Sequence, residues 1–150
     1  MAQLDYSQYM ASAFAGMKVN TQFDHVESFA TSEDVAFGLG VRANSTNPGT
    51  VVDLVANAAD VFRGIALHVH NESGLYIAKD TASILRRGGA WVEVNATVAI
   101  DAPAYIDVSD AKFTSVSTSN LATGGFFRSA RVFDGTAGVI NIAVVEINLP

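Results

Sequence analysis

The stretch AWVEVNATVAI, residues 90–100, decides the fold class. Its even positions Val92, Val94, Ala96, Val98 and Ile100 are all apolar, and Glu93, Asn95 and Thr97 stand between them. A period of two sends alternate side chains to opposite faces of a strand, so one face is expected in a core and the other in water. The closing segment VINIAVVEINLP, residues 139–150, carries Val139, Ala143, Val145, Ile147 and Leu149 on one face and Ile140, Ile142 and Val144 on the other. A strand apolar on both sides is expected to be covered on both, because an exposed edge of that composition invites aggregation.

Outward from these two, the texture from Val35 onward stays β. Short apolar pieces such as VAFGLGVR (35–42), FRGIALHVH (62–70), TASILRR (81–87), AYIDV (104–108) and FFRSARVF (126–133) alternate with turn sequences such as NSTNPG, NESG and DGTAG. STSNLATGG (117–125) reads as a polar connection. About nine short strands with this punctuation predict an all-β chain, a small antiparallel β-barrel or jelly-roll-like sandwich. Residues 1–34 read as an N-terminal arm and lead-in segment, and 35–150 as the β domain. Within the arm, Tyr6, Tyr9, Met10, Ala13, Phe14 and Met17 recur at three- and four-residue spacing, which permits a short helix that Gly16 would end. A helix that short needs support, so the arm is expected to order by packing on its own domain or on a neighbour.

Hydrophobic residues make up 49% of the chain and charged residues only 16%, against about 25% charged in ordinary soluble domains. Few charges favour a protein that hides surface in an assembly. The net charge of −6 argues against nucleic-acid binding, which needs a basic face. There is no cysteine, hence no disulfide and no thiolate zinc site. No apolar run approaches the ~20 residues that span a bilayer. The N-terminus MAQLDYSQYM lacks the basic start and apolar stretch of a secretory signal, so synthesis in a cytoplasm is expected. The glycosylation-type matches at Asn44, Asn71 and Asn95 then read as chance.

Several motifs invite a chemical reading. His68 and His70 lie two apart and could present both imidazoles on one strand face to a metal ion, as in a cupin-like enzyme. Glu72 follows too closely for that pattern, and His25 lies far upstream. Gly38, Gly40 and Ala43 formally fit a dinucleotide fingerprint, but a turn follows where a helix N-terminus would have to receive the phosphates. There is no nucleophile elbow, and Asp101, Asp107, Asp110 and Asp134 sit beside Pro, Gly or Ser, where carboxylates form turns. No catalytic residue, metal ligand or cofactor site is assigned, and the chain reads as a non-enzyme.

That leaves ILRRGGAWVEV, residues 84–94. Adjacent strand residues face opposite ways, so Arg86 and Arg87 can share one site only where the strand ends or bulges, which Gly88 and Gly89 permit. The segment reads as a strand end, a glycine break and a new strand. The arginines then suit a bidentate salt bridge at a subunit boundary, or form a solvated pair at a strand end. Trp91 is either a contact residue, including a platform for a sugar in a carbohydrate-binding β-sandwich, or part of the core.

Taken in order, the segments resemble the structural cement, or capsid decoration, proteins of tailed bacteriophages. The likeness runs from AGM (15–17) through SFATSEDVAFGLGV and RGIALHV to DTASILRRGGAWVEVNATVAIDAPAYIDVSDAKFTS, and ends in GGFFRSARVFDGTAGVINIAVVEINLP. Two departures stand out: Lys79 precedes Asp80 where that family commonly has glycine, and Gly88–Gly89 replaces a single glycine. The resemblance implies a virion protein on the outer surface of an icosahedral head. It would bridge major capsid subunits as a homodimer or homotrimer, with no role for nucleic acid or membrane. Tyr6, Tyr9, Met10, Phe14, Arg86, Arg87 and Trp91 are the expected contact residues, because aromatic and Arg side chains anchor interfaces.

Overall fold

The computed structural model describes residues 13–20 and 24–150. Tyr6, Tyr9 and Met10 lie outside the described residues. Those described form eleven strands and no helix. They are β1 (His25–Thr31), β2 (Val35–Ala36), β3 (Gly40–Ala43), β4 (Val51–Leu54), β5 (Phe62–Ala66), β6 (Leu75–Tyr76), β7 (Thr81–Glu93), β8 (Pro103–Ile106), β9 (Phe113–Thr114), β10 (Leu121–Phe127) and β11 (Ile142–Asn148). The all-β expectation holds.

Nine strands form one sheet that closes on itself. The order β1-β4-β3-β5-β7 returns from β7 to β1, giving a five-stranded ring. From the other half of β7 the sheet continues through β11, β10 and β8 to β9, and Phe113 of β9 bridges back to Val94 just beyond β7. Closure leaves little unpaired edge, which suits a chain with so few charges. The strand pairings are antiparallel except β1–β4, which is parallel, as is the isolated Val94–Phe113 bridge. β1 lies within the segment read as lead-in, so that segment supplies a wall of the first ring.

Each ring has its own core. Phe29, Val41, Val52, Ala66, Ala82 and Ile84 fill the first, closed by Val35 and Tyr76 of the two-stranded β2–β6 ribbon. The second is larger and holds Val92, Val94, Ile106, Phe113, Phe127, Val145 and Ile147. The cores meet where Ile106 fills the space above Gly40, which any side chain there would occupy. That contact, and the approach of Ala15 to Gly38, account for the glycines of FGLGVRA without a nucleotide.

β7 serves both rings, and its bulge explains how. On β1, Val26 pairs with Leu85 but His25 pairs with Arg87, so Arg86 is the extra residue. A bulge changes the phase of a strand. Before it, Ala82 and Ile84 face the first core and Leu85 the second; after it, Ala90 and Val92 face the second. The expected strand break is therefore one strand of thirteen residues that changes partners, from β1 and β5 to β11. Gly88, at φ 120°, absorbs the turn in the backbone.

Two further expectations change. The polar connection is half strand, since β10 begins at Leu121, and its inward residues are Leu121, Thr123, Gly125 and Phe127. Small and hydroxylated residues hid this strand because Thr123 satisfies its buried hydroxyl on the Ala104 carbonyl, 2.7 Å away. The closing strand is covered on both sides only around Val144, and Ile140, before the strand begins, is 62% exposed.

Candidate functional site

β7 is the line along which the candidate contact residues are arranged. Beyond the bulge one edge of β7 pairs with β11, and residues 16–19 lie along the other. The Trp91 amide donates to the Met17 carbonyl (2.8 Å), the Gly16 amide to the Trp91 carbonyl (2.7 Å) and the Val19 amide to the Gly89 carbonyl (3.0 Å). The His68 amide holds the Gly16 carbonyl from the opposite side at 2.9 Å. Gly16 adopts φ 82°, and a Cβ there would stand 2.5 Å from the His68 nitrogen, so only glycine lets the segment seat. This part of the arm packs on its own domain.

An aromatic run continues the contact. Phe14, 44% exposed, lies 4.4 Å from the His68 ring; His68 meets Phe37 at 4.8 Å, and Phe37 meets buried Tyr76 edge-on at 5.2 Å. Burial raises the Tyr76 phenol above its ordinary value, and its hydroxyl donates to the Leu67 carbonyl at 2.6 Å. His68 thus serves as a docking surface for Phe14. His70 is exposed beyond the end of β5. Among the described residues no group of three or more His, Asp or Glu is placed to hold a metal ion.

Arg86 and Arg87 part company. The Arg86 side chain is only 11% exposed; its Nη1 meets Glu27 Oε2 at 3.2 Å and its Nη2 donates to the Pro150 carbonyl at 2.8 Å. Glu27 is held below its ordinary carboxyl value, first by its hydrogen bond with His25 and then by the Arg86 charge. Arg87 points to solvent and donates from Nε to Asn148 Oδ1 at 2.7 Å. Trp91 is half-buried, and its main chain pairs with the docked segment.

The turn carboxylates do structural work. Asp107, Asp110 and Asp134 each accept the amide two residues on, from Ser109, Lys112 and Thr136. Asp101 pairs with Arg128 at 3.2 Å.

Sequence reading missed one surface. The loop between β10 and β11 raises Val132 (80% exposed), Phe133, Val139 and Ile140 into solvent, beside Ile100 (60% exposed) on the neighbouring turn. Buried Asn141 shapes this crest: its Oδ1 accepts from Arg131 Nε and the Asp134 amide, and its Nδ2 donates to the Asp134 carbonyl. The Val98–Arg131 bridge ties crest to turn. The signal was present as two apolar runs flanking DGTAG, but period two assigned the second run to a covered strand.

The described residues thus form a closed β shell that exposes apolar side chains on the β10–β11 loop and an arginine, Arg87, on β7. A family model described as structural cement protein (E217 gp24/Pam3 gp6) matches residues 2–148, and the chain belongs to that phage family. Its role is accordingly structural, as part of a capsid. Among solved structures, a chain from the capsid of Myoviridae phage XM1 shares the fold. Its TM-score is 0.72 at 22% sequence identity, over 94% of this chain and 93% of that one. Comparison with curated proteins gives no match.

Proposed function

We propose that this protein binds the outer surface of an icosahedral phage head, as a homodimer or homotrimer, and cements neighbouring major capsid subunits. Family membership over nearly the whole chain carries the reading. The apolar crest around Val132 and Ile140 supports it, because a chain with so few charges has reason to expose large apolar side chains where a partner covers them. Phe14, Arg86, Arg87 and Trp91 are the described members of the proposed contact set, and Tyr6, Tyr9 and Met10 are its other members. Arg86 contributes indirectly by holding β7 against β1. Many weak contacts around a closed lattice add up, since each bound subunit raises the effective concentration of the next contact.

The test is co-sedimentation with heads assembled from the cognate major capsid protein, followed by heating. Binding to heads but not to free DNA, with DNA release shifted to higher temperature in decorated heads, is the expected result. A protein that leaves heads unbound, or binds without changing their rupture temperature, would end the cementing reading. A metal-dependent enzyme using His68 and His70 would have to retain metal after dialysis, and a carbohydrate-binding module would have to lose a glycan ligand on Trp91→Ala.

A further inference from the structure

We infer that the trough over Gly88 and Gly89 receives an extended, carboxylate-bearing segment of a shell subunit, gripped at its rim by Arg87 and Arg128. The inference deepens the capsid reading and rests on it. The trough encloses about 600 Å³ on the outer face of β7 and β11, within the roughly 300–1,000 Å³ that built binding sites occupy. It exists because Gly89, which faces outward beside Glu146, leaves that face without a side chain. Gly88 at φ 120° disfavours any side chain, and Gly89 leaves the floor as bare main chain. Val19, from the docked N-terminal segment, and Val144 form apolar walls.

The rim supplies the charge. Arg87 spends only Nε on Asn148, and its two terminal nitrogens make no hydrogen bond among the described residues. Arg128 donates from Nε to Glu146 (3.1 Å) and from Nη1 to Asp101 (3.2 Å), with all three side chains exposed. Exposed pairs of that kind are weak and exchange readily for a better-placed carboxylate. Glu146 and Asp101 balance Arg128, so the positive charge that remains at the trough is Arg87, which meets no carboxylate among the described residues, on a chain of net charge −6. An acidic segment is repelled by much of the molecule and attracted here, which fixes its place. A two-fold self-contact at this site would set the arginine pair against its own copy. Arg86, committed to Glu27 and Pro150, takes no part.

The experiment compares wild type, Arg87→Glu, Arg128→Glu, the double variant and Gly89→Val. Each is measured for binding to undecorated heads, for Tm and for oligomeric state. An added Cβ at Gly89 meets nothing closer than Val19 at 3.6 Å, an ordinary contact, so the backbone accepts a side chain there, and the Tm of Gly89→Val checks that its methyl groups leave the docked segment seated. The expected result is at least tenfold weaker head binding for the double variant and for Gly89→Val. Tm and self-association should stay at wild-type values, and the double variant should depend less on salt. Variants that bind heads like wild type overturn the trough while leaving the capsid reading intact; wild type that fails to bind heads overturns both. Loss of self-association with head binding unchanged makes the occupant a second copy and refutes the shell segment.

Discussion

The Arg86 guanidinium and the Glu27 carboxylate meet at 3.2 Å between β7 and β1, beside the bulge that lets β7 serve two cores. The pairing braces β7 against β1 within the chain, with a second hydrogen bond to Pro150. Arg86→Met keeps much of the apolar stem and removes the hydrogen bonds. It should cost about 1–2 kcal/mol, or roughly 2–8 °C in Tm for a chain of this size. Arg87→Met should leave Tm unchanged; equal losses for the two would contradict their separate roles.

The seating of residues 16–19 depends on Gly16. Gly16→Ala forces a side chain into a left-handed backbone and against the His68 amide, at about 1–2 kcal/mol for the conformation alone. The segment should lift from β7 while the rings persist. Trp91, the only tryptophan, should then shift its fluorescence to longer wavelength, with cooperative unfolding retained. An unshifted spectrum would show that the segment does not cover it.

Lys79 offers a change in the opposite direction. It occupies φ 77°, a conformation that suits glycine. Lys79→Gly relieves the strain at some entropic cost, and a net gain of about 0.5–1 kcal/mol is expected in chemical denaturation. A loss of stability would mean the lysine side chain holds the turn.

Asn141 is the buried organiser of the crest. Asn141→Ala leaves the Asp134 amide and carbonyl without their partner, a loss of about 1–3 kcal/mol. Amide exchange should quicken across residues 131–140 and head binding should weaken, with protection in β7 retained. If exchange in the crest is unaltered, its shape does not depend on this side chain.

Acid should erode the β8–β9 turn through Asp107. Its carboxyl lies below the ordinary 3.8, chiefly because the Ser109 hydroxyl and amide donate to it, with Asn95 adding a further bond. The unfolded chain therefore takes up the proton first. The stabilisation is complete above about pH 4 and fades as pH falls through the lower folded value. The stability gap between wild type and Asp107→Ala should be widest near neutrality and narrow below about pH 4. A gap that is constant with pH would exclude ionisation as its source.

Much of this was legible in the residues themselves. Period two in 90–100 correctly buried Val92, Val94 and Val98, and turn residues punctuated the chain where strands end. The order of segments carried the family. The strand at Leu121–Phe127 was missed because its buried face holds Thr and Gly, whose fit depends on the Ala104 carbonyl across the sheet. Ile140 was placed under cover because alternation states which residues share a face and leaves unsaid where the strand starts.

The sequence by itself determined the all-β class and the family. Only the tertiary structure decided that the sheet closes into two rings, that Arg86 turns inward to Glu27, and that Arg87 shares a trough with Arg128, forty-one positions along. Alternation along a chain is a local property of backbone geometry. Which side chains meet across β7 depends on register, and one bulged residue resets that register for everything beyond it.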